Sequence, residues 1–149
     1  MTDAVEESLS ANDYCLIIDG QSFPALPLPY ELNQTAFRQD FCLGTDDFCT
    51  SEELVVRVEK ELESCGYSTA RDQPFSGTVV PIKHFQKDRR VQSLMIEINR
   101  WLYLAEDYSV DSERSEMLVK ILRRVGEMLE GDWSVDRGVG IYFTSTFMF

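Results

Sequence analysis

The stretch Leu94-Met-Ile-Glu-Ile-Asn-Arg-Trp-Leu-Tyr103 constrains this chain most, because it sets a carboxylate, Glu97, inside an apolar run that otherwise reads as a buried strand. Side chains alternate faces along a strand, so Leu94, Ile96 and Ile98 share one face while Met95, Glu97 and Asn99 share the other. An ionised Glu is costly to bury alone, and the position therefore needs a cation, hydrogen-bond donors or a cleft open to water. Arg100, one step past Asn99, is the nearest cation along the chain. Two readings stand side by side: a structural Glu–Arg pair at a strand end, or a catalytic or binding carboxylate.

The surrounding chain has 149 residues, the length of one domain, and its 44% hydrophobic content is enough for a real core. Fourteen Lys and Arg against 26 Asp and Glu leave a net charge of −12, which argues against a nucleic-acid binder built on clustered cations. Such acidity suits intracellular solubility; docking on a basic partner, or mimicry of nucleic acid, is the alternative. No apolar run reaches the ~18 residues of a membrane span, and the N-terminus lacks a basic region followed by an apolar one, so a cytoplasmic protein is expected.

Cys15, Cys42, Cys49 and Cys65 show no C-x-x-C pairing and have no histidine neighbours, and they read as reduced core thiols. His84, the one histidine, lies in a polar basic segment and reads as an exposed loop residue.

Taken in order, residues 1–13 read as an acidic, weakly ordered terminus, and residues 14–149 as a single domain. Tyr14 to Asp19 is a short apolar run of the kind buried on both faces of a sheet. It opens into a candidate site loop, Gly20-Gln-Ser-Phe-Pro, with Asp19 and Gln21 as its polar groups; Asp19 reads equally well as a turn-forming acid. Prolines 24, 27 and 29 make the stretch to Gln39 a long irregular loop, and Asp40 to Gly44 a second short strand. Arg38 and Asp40 could pair with each other or with the site. Thr50-Ser-Glu-Glu53 has the spacing of a capping box led by Thr50, with a helix to about Cys65 stopped by Gly66.

Tyr67 to Ala70 reads as a brief strand, and Thr78 to Ile82 as a strand end limited by Pro81. Asp111 or Ser112 then caps a helix to about Glu130, stopped by Gly131, whose Met117, Leu118, Ile121, Leu122, Val125, Met128 and Leu129 form one core stripe. Val139 to Phe149 is a last apolar strand that must join the sheet or dock on another chain, a partner or a second copy. Strands alternating with helices predict a layered α/β/α fold with a mixed, mostly parallel sheet.

Four segments carry a more specific signal: Ile18-Asp-Gly-Gln-Ser-Phe23, Arg38-Gln-Asp-Phe-Cys-Leu-Gly44, Gln73-Pro-Phe-Ser-Gly77 and Ile96-Glu-Ile-Asn-Arg-Trp-Leu-Tyr103. In that order they resemble the C-terminal half of the N-formylglutamate amidohydrolase family, which is similar in fold and mechanism to the zinc carboxypeptidases. The resemblance implies hydrolysis of an N-acyl amino acid amide by a zinc-activated water. It implies Glu97 as general base with Arg100 beside it, and Arg38, Asn99 and Ser22 as substrate-binding groups. The Asp19–Gln21 loop would carry a zinc ligand, but Gln21 stands where the family has a histidine, and glutamine is a poor ligand for zinc. The family's other ligands belong to an N-terminal half with no counterpart here. The sequence therefore predicts an amidohydrolase-like protein without a complete zinc site, acting by itself as a binding or interaction protein. The alternative is a zinc-dependent amidohydrolase, as half of a split or oligomeric enzyme.

Overall fold

The computed structural model describes residues 1–137 and 140–145. Five strands form one sheet, β1 (Cys15–Phe23), β2 (Phe41–Gly44), β3 (Thr69–Arg71), β4 (Val91–Asn99) and β5 (Gly140–Ser145), in the order β3-β2-β4-β1-β5. β4 runs parallel to β1 and antiparallel to β2; β1–β5 and β2–β3 are also parallel. The sheet is thus mixed and mostly parallel, as the sequence predicts. β4 is buried along its whole length, so Ser93, Glu97 and Asn99, on the face opposite Leu94, Ile96 and Ile98, are buried polar groups.

Among the described residues three α-helices cover the sheet: α1 (Thr2–Asn12), α2 (Glu52–Ser64) and α3 (Ser112–Arg137). On one face Leu54, Val58 and Leu62 of α2 and Leu118, Val125 and Leu129 of α3 pack on Leu16, Ile18, Leu43, Leu94, Ile96 and Ile98. On the other, Val5 of α1 packs on Cys15, Ile17 and Val91. The result is an α/β/α layering with the larger core under α2 and α3. No helix among the described residues is long and apolar enough to cross a membrane.

Several local expectations are corrected. The terminus expected to be weakly ordered is helix α1: Val5 is fully buried, and the Ser8 hydroxyl donates to the Tyr14 carbonyl at 2.9 Å. β1 does not end at Asp19 but continues through the presumed site loop to Phe23, because β4 pairs with it residue for residue as far as Asn99. The cap of α2 is Ser51, whose side chain accepts from the Leu54 amide, while Thr50 donates its hydroxyl to the Ser93 carbonyl at 2.7 Å. Residues 78–82 form no strand; the Ser93 side chain instead donates to the Val79 carbonyl, holding this segment across the sheet face.

Gly131 does not stop α3, since a glycine inside a helix costs only about 1 kcal/mol and nothing there demands a left-handed turn. Met117 is exposed rather than part of the core stripe. β5 joins the sheet beside β1; residues 138–139 and 146–149 of the expected last strand lie outside the described residues.

One close approach fixes β2 against its surroundings. A Cβ on Gly44 would lie 2.2 Å from Met95 Cε and 2.3 Å from the Gly77 carbonyl oxygen. The methionine can yield but the backbone oxygen cannot, so Gly44→Ala is expected to cost about 1–3 kcal/mol in urea unfolding. An unchanged midpoint would mean that the 72–77 turn gives way freely.

Candidate functional site

Alternation along three adjacent strands assembles the polar centre. Gln21 of β1 and Cys42 of β2 both pair in register with Glu97 of β4, one on each side of it. The three side chains share the face that carries Asp19 and Asn99, opposite the α2–α3 core. Glu97 is 6% exposed and Asp19 2%. The Gln21 amide donates to Asp19 Oδ2 at 2.9 Å. Glu97 Oε2 is buried without a hydrogen-bond partner among the described residues.

Burial pushes the Glu97 carboxyl up to about 7, and the neighbouring Asp19 charge adds to the rise; Arg100 and Arg38 oppose it. Near neutrality this group is therefore split between acid and carboxylate. The adjacent Cys42 thiol is pushed up to about 11, by burial first, and it donates to the Phe75 carbonyl at 3.2 Å. It is a neutral core thiol and no nucleophile at physiological pH. Sequence reasoning did not connect Cys42 with Glu97, although antiparallel pairing of Phe41–Gly44 with the end of β4 would have brought them side by side.

The other predicted residues fall into distinct roles. Arg38 organises the 24–39 loop: it donates to the Pro24 carbonyl at 3.1 Å and the Asn33 carbonyl at 3.2 Å, and forms an ion pair with Glu31. Its guanidinium lies 5.9 Å from the ring centre of Phe23 and 6.0 Å from that of Phe75, within cation–π range. It does not pair with Asp40, which instead accepts from the Ser68 amide and hydroxyl. Asn99 serves as a cap: its carbonyl accepts from the Trp101 amide at the 3₁₀ turn Arg100–Leu102, and its amide donates to the Gln39 carbonyl. Arg100 Nε donates to Ser22 Oγ at 3.2 Å, joining the ends of β1 and β4.

His84 is not exposed, as its loop context suggests, but 5% exposed, with Nε2 2.6 Å from Glu6 of α1. It belongs to a separate cluster with Lys83 and Asp88. The four cysteines are free, with Cys15, Cys42 and Cys49 buried.

The profile of the N-formylglutamate amidohydrolase family (FGase) matches residues 1–104, more than two thirds of the chain. This protein belongs to that family. Its fold is similar to the crystal structure, at 2.00 Å resolution, of N-formylglutamate amidohydrolase from Ralstonia eutropha JMP134, with a TM-score of 0.65 and 26% identity over 87% of this chain and 49% of that one. The chain thus spans about half the length of that relative. Among curated proteins none matches it. The family match begins at residue 1 and so takes in α1, which the sequence reading set aside as a loose terminus.

The zinc that the family resemblance implies finds no fitting donor set among the described residues. A catalytic zinc takes three protein ligands and leaves one position open. Among the described residues no three His, Cys, Asp or Glu side chains gather as a metal-binding group. Gln21, at the ligand position of the family's loop, turns its amide nitrogen to Asp19 and occupies one oxygen that a metal would need. Using Glu97 as a ligand would remove the base.

Proposed function

We propose that this member of the N-formylglutamate amidohydrolase family acts, as this chain alone, as a metal-free binding and interaction protein. The observation that carries the reading is the Gln21–Asp19 hydrogen bond where a zinc ligand would be needed. A neutral amide in place of a histidine cannot contribute a strong bond to zinc, and the only histidine is engaged elsewhere, with Glu6. The polar groups around Glu97 then bind and orient without activating a water for attack.

Elemental analysis of the purified protein after exposure to zinc and dialysis tests this. We expect far less than one zinc per chain, in the native protein and in Glu97→Gln alike. Near-stoichiometric zinc that survives dialysis overturns the proposal.

A second reading has one observation in its favour: a carboxyl whose pKa lies near 7 is well matched to general-base work at neutral pH. In that reading a further polypeptide supplies the ligands, and the assembly hydrolyses N-acyl amino acids.

A further inference from the structure

The two connections that leave the same end of the sheet carry an apolar surface that neither the core nor the Glu97 site uses. β1 and β4 run parallel with Phe23 opposite Asn99, so the 24–39 loop and the 100–111 connection both emerge there. Their roots are tied together by Asn99 to the Gln39 carbonyl and by Arg100 to Ser22. From this end Leu26, Tyr30, Leu32, Phe37, Trp101 and Tyr108 stand exposed, Leu32 entirely so.

Charge sharpens the pattern. In a chain that is 27% charged, residues 24–39 contain only Glu31 and Arg38, and these two are buried against each other. The loop therefore offers solvent no net-charged group, and the ion pair and its carbonyl bonds hold it in one shape. The adjoining connection carries exposed Glu106 and Asp107, next in sequence to Tyr108, on a protein of net charge −12. Six large apolar side chains expose on the order of 800 Å² of surface, the share per partner of a standard-size interface.

We infer that these exposed side chains together form one docking surface for a basic polypeptide that presents an apolar face rimmed by Lys or Arg. The inference deepens the reading of the chain as an interaction protein and rests on it. An apolar centre with a polar, charged rim is the common anatomy of protein interfaces. The acidic surface of the chain steers a basic partner towards it, and like charge keeps acidic partners and second copies away. Affinity then resides in the apolar anchors, and approach rate in the charge.

The probe is a short synthetic Leu/Lys peptide patterned as an amphipathic helix, compared with a scrambled peptide of identical composition, in fluorescence anisotropy titrations. The native protein is expected to bind the patterned peptide at least ~10-fold tighter than the scrambled one. Leu32→Glu with Phe37→Glu is expected to weaken that binding about 10-fold, even though the added negative charge alone would tighten it. Both side chains are exposed, so melting temperatures should match; Tyr30→Glu with Trp101→Glu gives an independent second pair. Equal affinity for the two peptides, or tighter binding by the variants, overturns the proposal, because the acidic surface alone would then be responsible. Sedimentation that finds a dimer lost in the Leu32→Glu, Phe37→Glu variant also overturns it, with a second copy as the occupant. Zinc content of the same preparation reports separately on the metal-free reading, so the two can fail independently.

Discussion

A Glu97→Gln variant is expected to match the native chain in stability only below about pH 4 and to exceed it clearly at pH 8. The Glu97 carboxyl ionises near its ordinary 4.5 when the chain is unfolded and at about 7 when folded, raised by burial and then by Asp19. Between those values the folded state holds a proton that the unfolded state has released, so stability falls as pH rises through the window. The full penalty above it is on the order of 3 kcal/mol. Glutamine keeps the shape and cannot ionise, so it escapes the penalty. Denaturant unfolding of both proteins at pH 4, 5, 6, 7 and 8 reads the effect directly. Parallel pH profiles would show that Glu97 stays ionised in the fold, well compensated by Arg38 and Arg100.

The second large effect concerns the 24–39 loop. Arg38 has a side chain 1% exposed, and Glu31, its ion-pair partner, 8%. Removing one member of a buried pair strands the other, at a cost of about 3–5 kcal/mol. Arg38→Ala is therefore expected to destabilise the protein by that order and to open the loop to proteases between residues 24 and 37. Arg38→Lys should recover only part of the loss, since an ammonium cannot span Glu31 and two carbonyls while lying between Phe23 and Phe75. The double variant Arg38→Ala, Glu31→Ala should be less damaging than the two single losses combined. Thermal unfolding with limited proteolysis checks all three. A loop that stays resistant in Arg38→Ala would move its anchor elsewhere.

How far the sequence reveals this molecule depends on whether the governing interaction is local. The alternation in β4, the Gly66 turn and the extent of α2 rest on short-range patterns, and each is legible. The family was legible too, through four segments in order. The neighbours of Glu97 were not: Gln21 and Cys42 flank it only because of strand register between distant segments, which a single sequence does not encode visibly. Helix α1 was missed because its few apolar residues make a weak stripe; its order comes from Val5 packing on β1 and β4 and from Glu6 meeting His84. That same long-range contact buries His84 despite its polar surroundings. Arg38 looked free to bind a substrate because nothing in the spacing announces Glu31 as its partner across the loop.

The sheet order carries a further consequence, for how this chain comes together in time. β1 is made before both of its partners: it pairs Cys15 with Val91 on one side and Gly140 on the other, and makes no ladder with the intervening β2 or β3. Its apolar run Cys15-Leu-Ile-Ile18 must wait for β4 and β5 before its backbone groups are satisfied. Closing such long loops is slow, and an unpaired apolar strand is meanwhile open to wrong partners. Helix α1 precedes β1 in the chain and packs directly against its start, so it shields Cys15 and Ile17 before either flanking strand arrives.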